Sequence, residues 1–333
     1  MPSSYHYILV TFLSAAVSAS EVTPVDVRAD SRLGVPDRST IDWPDGEPAA
    51  PAVISLGRTL FFDQRLSQHQ NQSCATCHNP DLGFSDGLAK GLGTKGNRLD
   101  RNSPHLYNLA WSRVLFWDGR VVTLEEQALG PIQAAGEMGM DLPGLVARLE
   151  AVPAYHELFT AAFGTPAIDA PRIATAIAAF ERTIIADNTP FDRYMRGEEA
   201  ALGPEAKRGL ALFVGKANCI ACHSGPNFTD DSFHNLGTKD ADRGRAAIEA
   251  GALAERAFKT PGLRNTALTG PYLHDGSEAS LEAVVRFYSR GGDAPTPDPL
   301  MRKLDLTDQE VADVVAFLGA LTDPVARERP SIP

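Results

Sequence analysis

Cysteine is scarce, four in 333 residues. That is too sparse for a disulfide scaffold of this length. Basic charge is short as well: 31 Lys and Arg stand against 42 Asp and Glu, a formal net charge of −11. This argues against nucleic acid as a partner and suits a basic or dipolar protein. Past residue 20, no segment approaches the roughly 18 consecutive apolar residues that a membrane-spanning helix needs, so no membrane is expected for the mature chain. Alternation with strand period is never sustained. Tryptophan is limited to Trp43, Trp111 and Trp117, which leaves the second half without any.

What is present begins with the leader. An apolar run from Tyr7 to Val17 ends in Ser18-Ala19-Ser20, before the first acid, Glu21. The pattern predicts a secretory signal peptide over residues 1–20 and export of the remainder, although the leading segment carries no Lys or Arg.

All four cysteines fall in two pentapeptides, CATCH at Cys74 to His78 and CIACH at Cys219 to His223. In C-x-x-C-H, two thiols add across the two vinyl groups of one haem. The spacing puts both sulfurs on one face of a helical turn, and the next residue turns its imidazole onto the iron. A zinc site could use the same residue types, but it gives no reason for Cys and His to be adjacent in both copies. A thioredoxin-like pair expects a βαβ setting, and none is visible. The motifs therefore predict two c-type haems, one on Cys74, Cys77 and His78, the other on Cys219, Cys222 and His223.

The remaining signals are helical. "GLVARLEAV", "APRIATAIAAFERTII" and "EAKRGLALF" are apolar at i, i+3, i+4 spacing. "LTDQEVADVVAFLGAL" opens with Thr307 three residues before Glu310, a capping box. An all-α fold is expected. The halves also repeat: residues 103–127 align with 260–284 at an offset of 157, with eight identities in 25 positions. Pro104, Leu106, Asn108, Ala110, Asp118-Gly119 and Leu124-Glu125 recur as Pro261, Leu263, Asn265, Ala267, Asp275-Gly276 and Leu281-Glu282. The expected organisation is two cytochrome c-like domains, residues 21–197 and 198–333, with the junction near "RGEEAALGPEA".

The copies differ where it matters. Trp117 aligns with His274, and Tyr288 in "VVRFYSRGG" aligns with Pro131. A phenol can bind ferric iron and a proline side chain cannot. One haem with six ligands and one with an open position are expected.

With these residues in view, the chain resembles the bacterial dihaem cytochrome c peroxidase superfamily along its whole mature length. The matching stretches include "LGRTLFFDQRLS", "SCATCH", "RNSP", "FWDGR", "LEEQALGPI", "EMG", "AFERTI", "CIACHSGPNFTD" and "LRNTALTGPYLHDGS". The loop "FSDGLAKGLGTKGNRLDRN" has no histidine to close the first haem, and Tyr288 stands where the ordinary peroxidases carry methionine. Both departures are similar to the MauG-like branch.

The resemblance implies a periplasmic oxidoreductase that uses hydrogen peroxide to oxidise a protein, such as a quinoprotein precursor whose tryptophylquinone cofactor it completes. It implies Glu137 as general acid/base, with Gln127 and Pro131 lining the same pocket. Trp117 is implied as electron relay between the haems, and Tyr288 as distal ligand of the second haem, with Met301 its rival. A calcium ion between the domains is implied on Asn102 with the carbonyls of Thr269 and Pro271. His105 reads as structural, its rival role being that of the nearest histidine that could close the first haem as a second imidazole ligand. His274 reads as ordering the second haem's surroundings, and His69, His156 and His234 as surface or loop residues. One alternative is a peroxidase that draws electrons from a small cytochrome c or cupredoxin. Another is a dihaem electron carrier, which would want both irons six-coordinate.

Overall fold

The computed structural model describes residues 27–251, 253–295, 297–323 and 328–333; the predicted signal peptide lies outside them. Among the described residues the only strands are two-residue pieces, Phe233–His234 paired antiparallel with Phe258–Lys259. The rest is helix, turn and long loop, in agreement with the all-α expectation.

Two helix pairs organise the molecule. In the first half, α1 (Pro51–Phe62) packs on α6 (Ala170–Glu181). In the second, α8 (Pro204–Val214) packs on α10 (Asp308–Gly319). The starts of α6 and α10 are set by local chemistry. Asp169 accepts from the Arg172 backbone N–H ahead of α6, and Thr307 and Glu310 form the expected capping box on α10. Ile173, Ala176, Ile177 and Phe180 then bury one face of α6, as Val311, Val314, Phe317 and Leu318 do on α10.

Each pair crosses at a glycine. A Cβ on Gly57 would stand 1.7 Å from the Ala176 carbonyl oxygen, and one on Gly209 would stand 1.9 Å from that of Asp313. No side chain fits between the backbones at either crossing.

Around these pairs lie α2 (Cys74–Cys77), α3 (Leu124–Gln133), α4 (Leu142–Glu150), α5 (Pro153–Phe163), α7 (Pro190–Met195) and α9 (Leu281–Arg290). Two cores result. One draws buried residues from Val53 to Ala186, the other from Phe191 to Leu321 together with Leu33. Helix α7 thus packs in the second core, although it precedes the 197/198 junction expected from the sequence.

The repeat is visible in the backbone. Asn108 and Asn265 have φ of 61° and 58°, Phe116 and Leu273 have 65° and 68°, and Gly119 and Gly276 have 66° and 67°. The bridge Leu115–Val121 recurs as Tyr272–Glu278, and α3 recurs as α9. The register of 157 therefore holds in three dimensions where sequence identity alone is thin.

Candidate functional site

Helix α2 is a single turn, closed by reciprocal bonds between Ser73 and Thr76. The His78 N–H donates to the Cys74 carbonyl at 2.9 Å, which keeps the turn going and aims both thiols and the imidazole at one cavity. The second motif does the same, with His223 N–H to Cys219 O at 2.9 Å. His78 Nδ1 lies 3.2 Å from the Phe84 carbonyl and His223 Nδ1 lies 2.9 Å from that of Phe228. Phe84 and Phe228 both have φ of 56°. Burial pushes both imidazoles below their ordinary pKa, so they are neutral. With Nδ1–H donated to a carbonyl, the lone pair sits on Nε2, where an iron is bound.

No disulfide joins the four cysteines, and the two pairs line separate cavities. A shared four-cysteine zinc site is therefore not formed. Paired thiols and a carbonyl-oriented imidazole facing a cavity fit a covalent haem at each place, the second cavity being the smaller at about 190 Å³. The first cavity measures about 820 Å³.

Gln127 and Pro131 project from α3 into the first cavity, and Glu137 joins them from the loop that follows. That loop is pinned by Glu137 N–H to Ala134 O at 2.9 Å and by Thr94 N–H to Glu137 O at 2.8 Å. Burial raises the Glu137 carboxyl above the ordinary glutamate value, and the Arg120 guanidinium partly opposes it. In the second cavity Tyr288 projects from α9 at the position that Pro131 holds in α3. Its phenol is raised by burial first, then by the nearby Cys219 and Cys222. Met301 lines the same cavity from the loop before α10.

Between the cavities lies a seam. Trp117, Asn102, His105 and Lys259 line both. The Trp117 indole N–H donates to Asn102 O at 2.9 Å, and the Trp117 carbonyl accepts from Lys259 N–H at 2.8 Å. Its ring meets that of His274 edge-on at 6.4 Å. His274 is buried, stacks on Phe258 at 3.5 Å and sits 3.1 Å from Asp240.

His105 is engaged at both ring nitrogens, Nε2 to Gly262 O at 2.9 Å and Nδ1 from the Tyr107 N–H at 3.2 Å. Burial pushes it down to about 4. Ligating iron through either nitrogen would break the hydrogen bond made there, which supports the structural reading.

The Asn102 side-chain amide gathers three carbonyl oxygens, Leu88 at 2.8 Å, Pro271 at 3.3 Å and Ala89 at 3.4 Å, and so ties the two halves together. Thr269, two residues before Pro271, is buried. An oxygen-only set drawn from both halves fits a hard cation once the amide is turned to present its oxygen.

One histidine differs from its sequence reading. His234 is not a surface residue. It is largely buried, with Nδ1 2.8 Å from Asp298 and Nε2 3.3 Å from Asp230, on the wall of the second cavity. Asp230 is four residues away in the chain, but Asp298 is 64 residues away and reaches the ring only through the fold.

Two residues escaped sequence reading altogether. Glu181 is buried on α6 at the first cavity, with Oε2 lacking a protein partner, and burial raises it to about 8. Its signal was a carboxylate on an otherwise apolar helix face. Lys259 had a different signal: the repeat register sets it opposite Asn102.

Comparison with known proteins agrees with this geometry. Residues 51–200 match the family "Di-haem cytochrome c peroxidase", and residues 206–322 match the family "Cytochrome c". The methylamine utilization protein MauG of Methylorubrum extorquens is 43% identical over 98% of this chain and 94% of its own length. The cytochrome c551 peroxidase of Nitrosomonas europaea is 34% identical over 83% of this chain and 81% of its own. A solved MauG-like protein associated with microbial copper homeostasis superposes with a TM-score of 0.82 at 34% identity, covering 91% of this chain and 97% of that one.

Proposed function

The chain belongs to the dihaem cytochrome c peroxidase family, in its MauG-like branch, and on that premise we propose that it is a periplasmic enzyme that uses hydrogen peroxide to oxidise a protein. The proposed reaction is completion of a tryptophylquinone cofactor in a quinoprotein precursor. The observation that carries this reading is the contrast at one register position. Pro131 faces the first cavity where Tyr288 faces the second. A haem held by His78 would face no side-chain ligand at Pro131, leaving room for peroxide, whereas one held by His223 would have the Tyr288 phenol within its cavity.

When bound, the haems supply the one-electron iron chemistry, and the chain supplies ligation, access and protons. His78 and His223 each present Nε2 to a metal. Tyr288 offers its oxygen on the far side of the second cavity. Glu137 takes the proton from one peroxide oxygen and returns it to the other, so that water can leave. The Gln127 amide stands in the same cavity and can orient the peroxide by a hydrogen bond. Trp117 is fixed by its bond to Asn102 and offers an oxidisable indole between the cavities.

Low-temperature EPR of the diferric protein tests this reading. One high-spin and one low-spin signal are expected. Two low-spin signals would mean that a side chain closes the first iron, and a carrier or a reductively activated enzyme would be the better account. The donor is tested separately, by offering peroxide with a quinoprotein precursor or with a reduced small cytochrome c. Turnover with the cytochrome alone would favour peroxide removal, the activity named for the Nitrosomonas europaea relative.

The Asn102, Thr269 and Pro271 cluster is proposed as the calcium site. Dialysis against a chelator is expected to lower the melting temperature and peroxide turnover, with Ca²⁺ restoring both. At a concentration 100 times its Kd, a ligand that binds only the folded state contributes about 2.7 kcal/mol. A melt indifferent to chelation would remove calcium from the account.

A further inference from the structure

The seam between the cavities contains a cation with too little charge opposite it. The Lys259 side chain is 12% exposed and lies on the walls of both cavities. Its ammonium reaches the Thr260 carbonyl at 3.1 Å and Asp231 Oδ1 at 3.5 Å. The second distance is long for a charge-assisted bond. Asp231 is also shared, since its Oδ2 accepts from the Arg113 N–H at 3.2 Å and lies 3.6 Å from the Arg113 guanidinium.

The neighbouring guanidinium groups are better matched. Arg264 holds both oxygens of Asp192 at 2.8 Å. Arg101 holds Asp242 at 2.7 and 3.0 Å and Asp118 at 2.7 Å. Arg120 holds Asp118 at 3.0 Å. Lys259 is thus less well compensated than these guanidinium groups. Burial pushes its ammonium below the usual lysine value, with Asp231 only partly opposing. A buried charge in this state wants an anion.

A c-type haem brings two carboxylate side arms on the ring edge opposite its thioethers. The thioether positions, Cys74 with Cys77 and Cys219 with Cys222, are fixed by sequence, while Lys259 belongs to neither motif and lies on the wall that both cavities share. We propose that Lys259 is the counter-ion of a haem propionate at the seam, and so sets the potential of a haem next to Trp117. The Lys259 backbone N–H already holds the Trp117 carbonyl. One residue would then position the indole and neutralise the cofactor beside it. This inference rests on the reading of both cavities as haem sites. It makes Lys259 a positioning residue, with no part in proton transfer.

Spectroelectrochemical titration of the holoprotein decides the matter, with Lys259→Met, Lys259→Arg and Asp231→Asn. Losing a cation beside a propionate favours the oxidised iron. At the potential where the affected wild-type haem is half reduced, Lys259→Met is expected to lower its reduced-to-oxidised ratio about tenfold, a shift of about 59 mV for one electron. Lys259→Arg is expected to restore most of it. Asp231→Asn leaves the lysine paired with the propionate, so haem content is kept and the ratio rises. If both haems of Lys259→Met titrate as wild type, the ammonium serves Asp231 and Thr260 alone and the proposal falls. Should Lys259→Met fail to accumulate, Asp231→Asn still discriminates. Full haem content with a raised ratio supports the proposal, and collapse like that of the lysine variant overturns it. The EPR spin states test the open-site reading separately, because no variant here alters an axial ligand.

Discussion

Glu137→Gln is expected to lower kcat/KM for peroxide by about 10²–10⁴, the usual range for a positioned acid/base, while both haems still attach and the spin states persist. Glutamine keeps the shape and removes the group that can accept a proton and give it back. The carboxyl lines the first cavity beside Gln127 and Pro131, and its loop is pinned by backbone bonds to Ala134 and Thr94. The backbone bonds do not involve the side chain, so the variant should fold. The pH dependence has a definite sign. Catalysis needs Glu137 ionised to accept a proton, and burial raises its pKa. The acid limb of kcat/KM should therefore lie above the ordinary glutamate value, with activity lost as pH falls through it, and this limb should vanish in Glu137→Gln. Stopped-flow kinetics across pH, with EPR as the control for intact sites, would check it. An unchanged rate and an unchanged limb would move the proton chemistry elsewhere, with the buried Glu181 in the same cavity the next candidate.

Gly57→Ala and Gly209→Ala carry the second large effect, and here the sign is diagnostic. Alanine in a helix interior ordinarily stabilises relative to glycine by about 1 kcal/mol. At these crossings the new Cβ would stand 1.7 Å from one backbone carbonyl oxygen and 1.9 Å from the other. Neither carbonyl can move without its helix. The helix pairs must separate, which loses packing on both faces, so each change should cost more than about 3 kcal/mol, beyond the usual overpacking penalty. With two cores, unfolding need not be a single transition. Gly57→Ala should loosen the first core and perturb the haem on His78, and Gly209→Ala should do the same to the second core and the haem on His223. Thermal melts followed at the haem absorption bands would show it. A rise in melting temperature for either variant would mean that the crossing is looser than the geometry described here.

The chemistry of attachment is local, and so the sequence alone carried it. Two thiols and an imidazole within five residues can serve one haem wherever the segment lies. The same holds for helix caps such as Thr307 with Glu310, and for apolar periodicity in α6 and α10. The repeat, read at an offset of 157, added a comparison between halves, and it was that comparison that set Pro131 against Tyr288 before any coordinate was known. Its backbone counterpart is the matched left-handed residues: two of the eight identities, Asn108 with Asn265 and Gly119 with Gly276, mark positions where the turn geometry restricts the residue.

What only the tertiary structure decided depends on long-range proximity and on burial. His105 is held through Nε2 by the Gly262 carbonyl, 157 residues away. His234 is buried between Asp230, four residues before it, and Asp298, which is 64 residues away and meets it only in the fold. Glu181 and Lys259 look like ordinary charged residues in the chain. They become consequential because desolvation makes an unmatched charge or carboxyl costly, and the solvent lost on folding cannot be read from any window of sequence. Trp117 became a bridge when two cavities closed on either side of it.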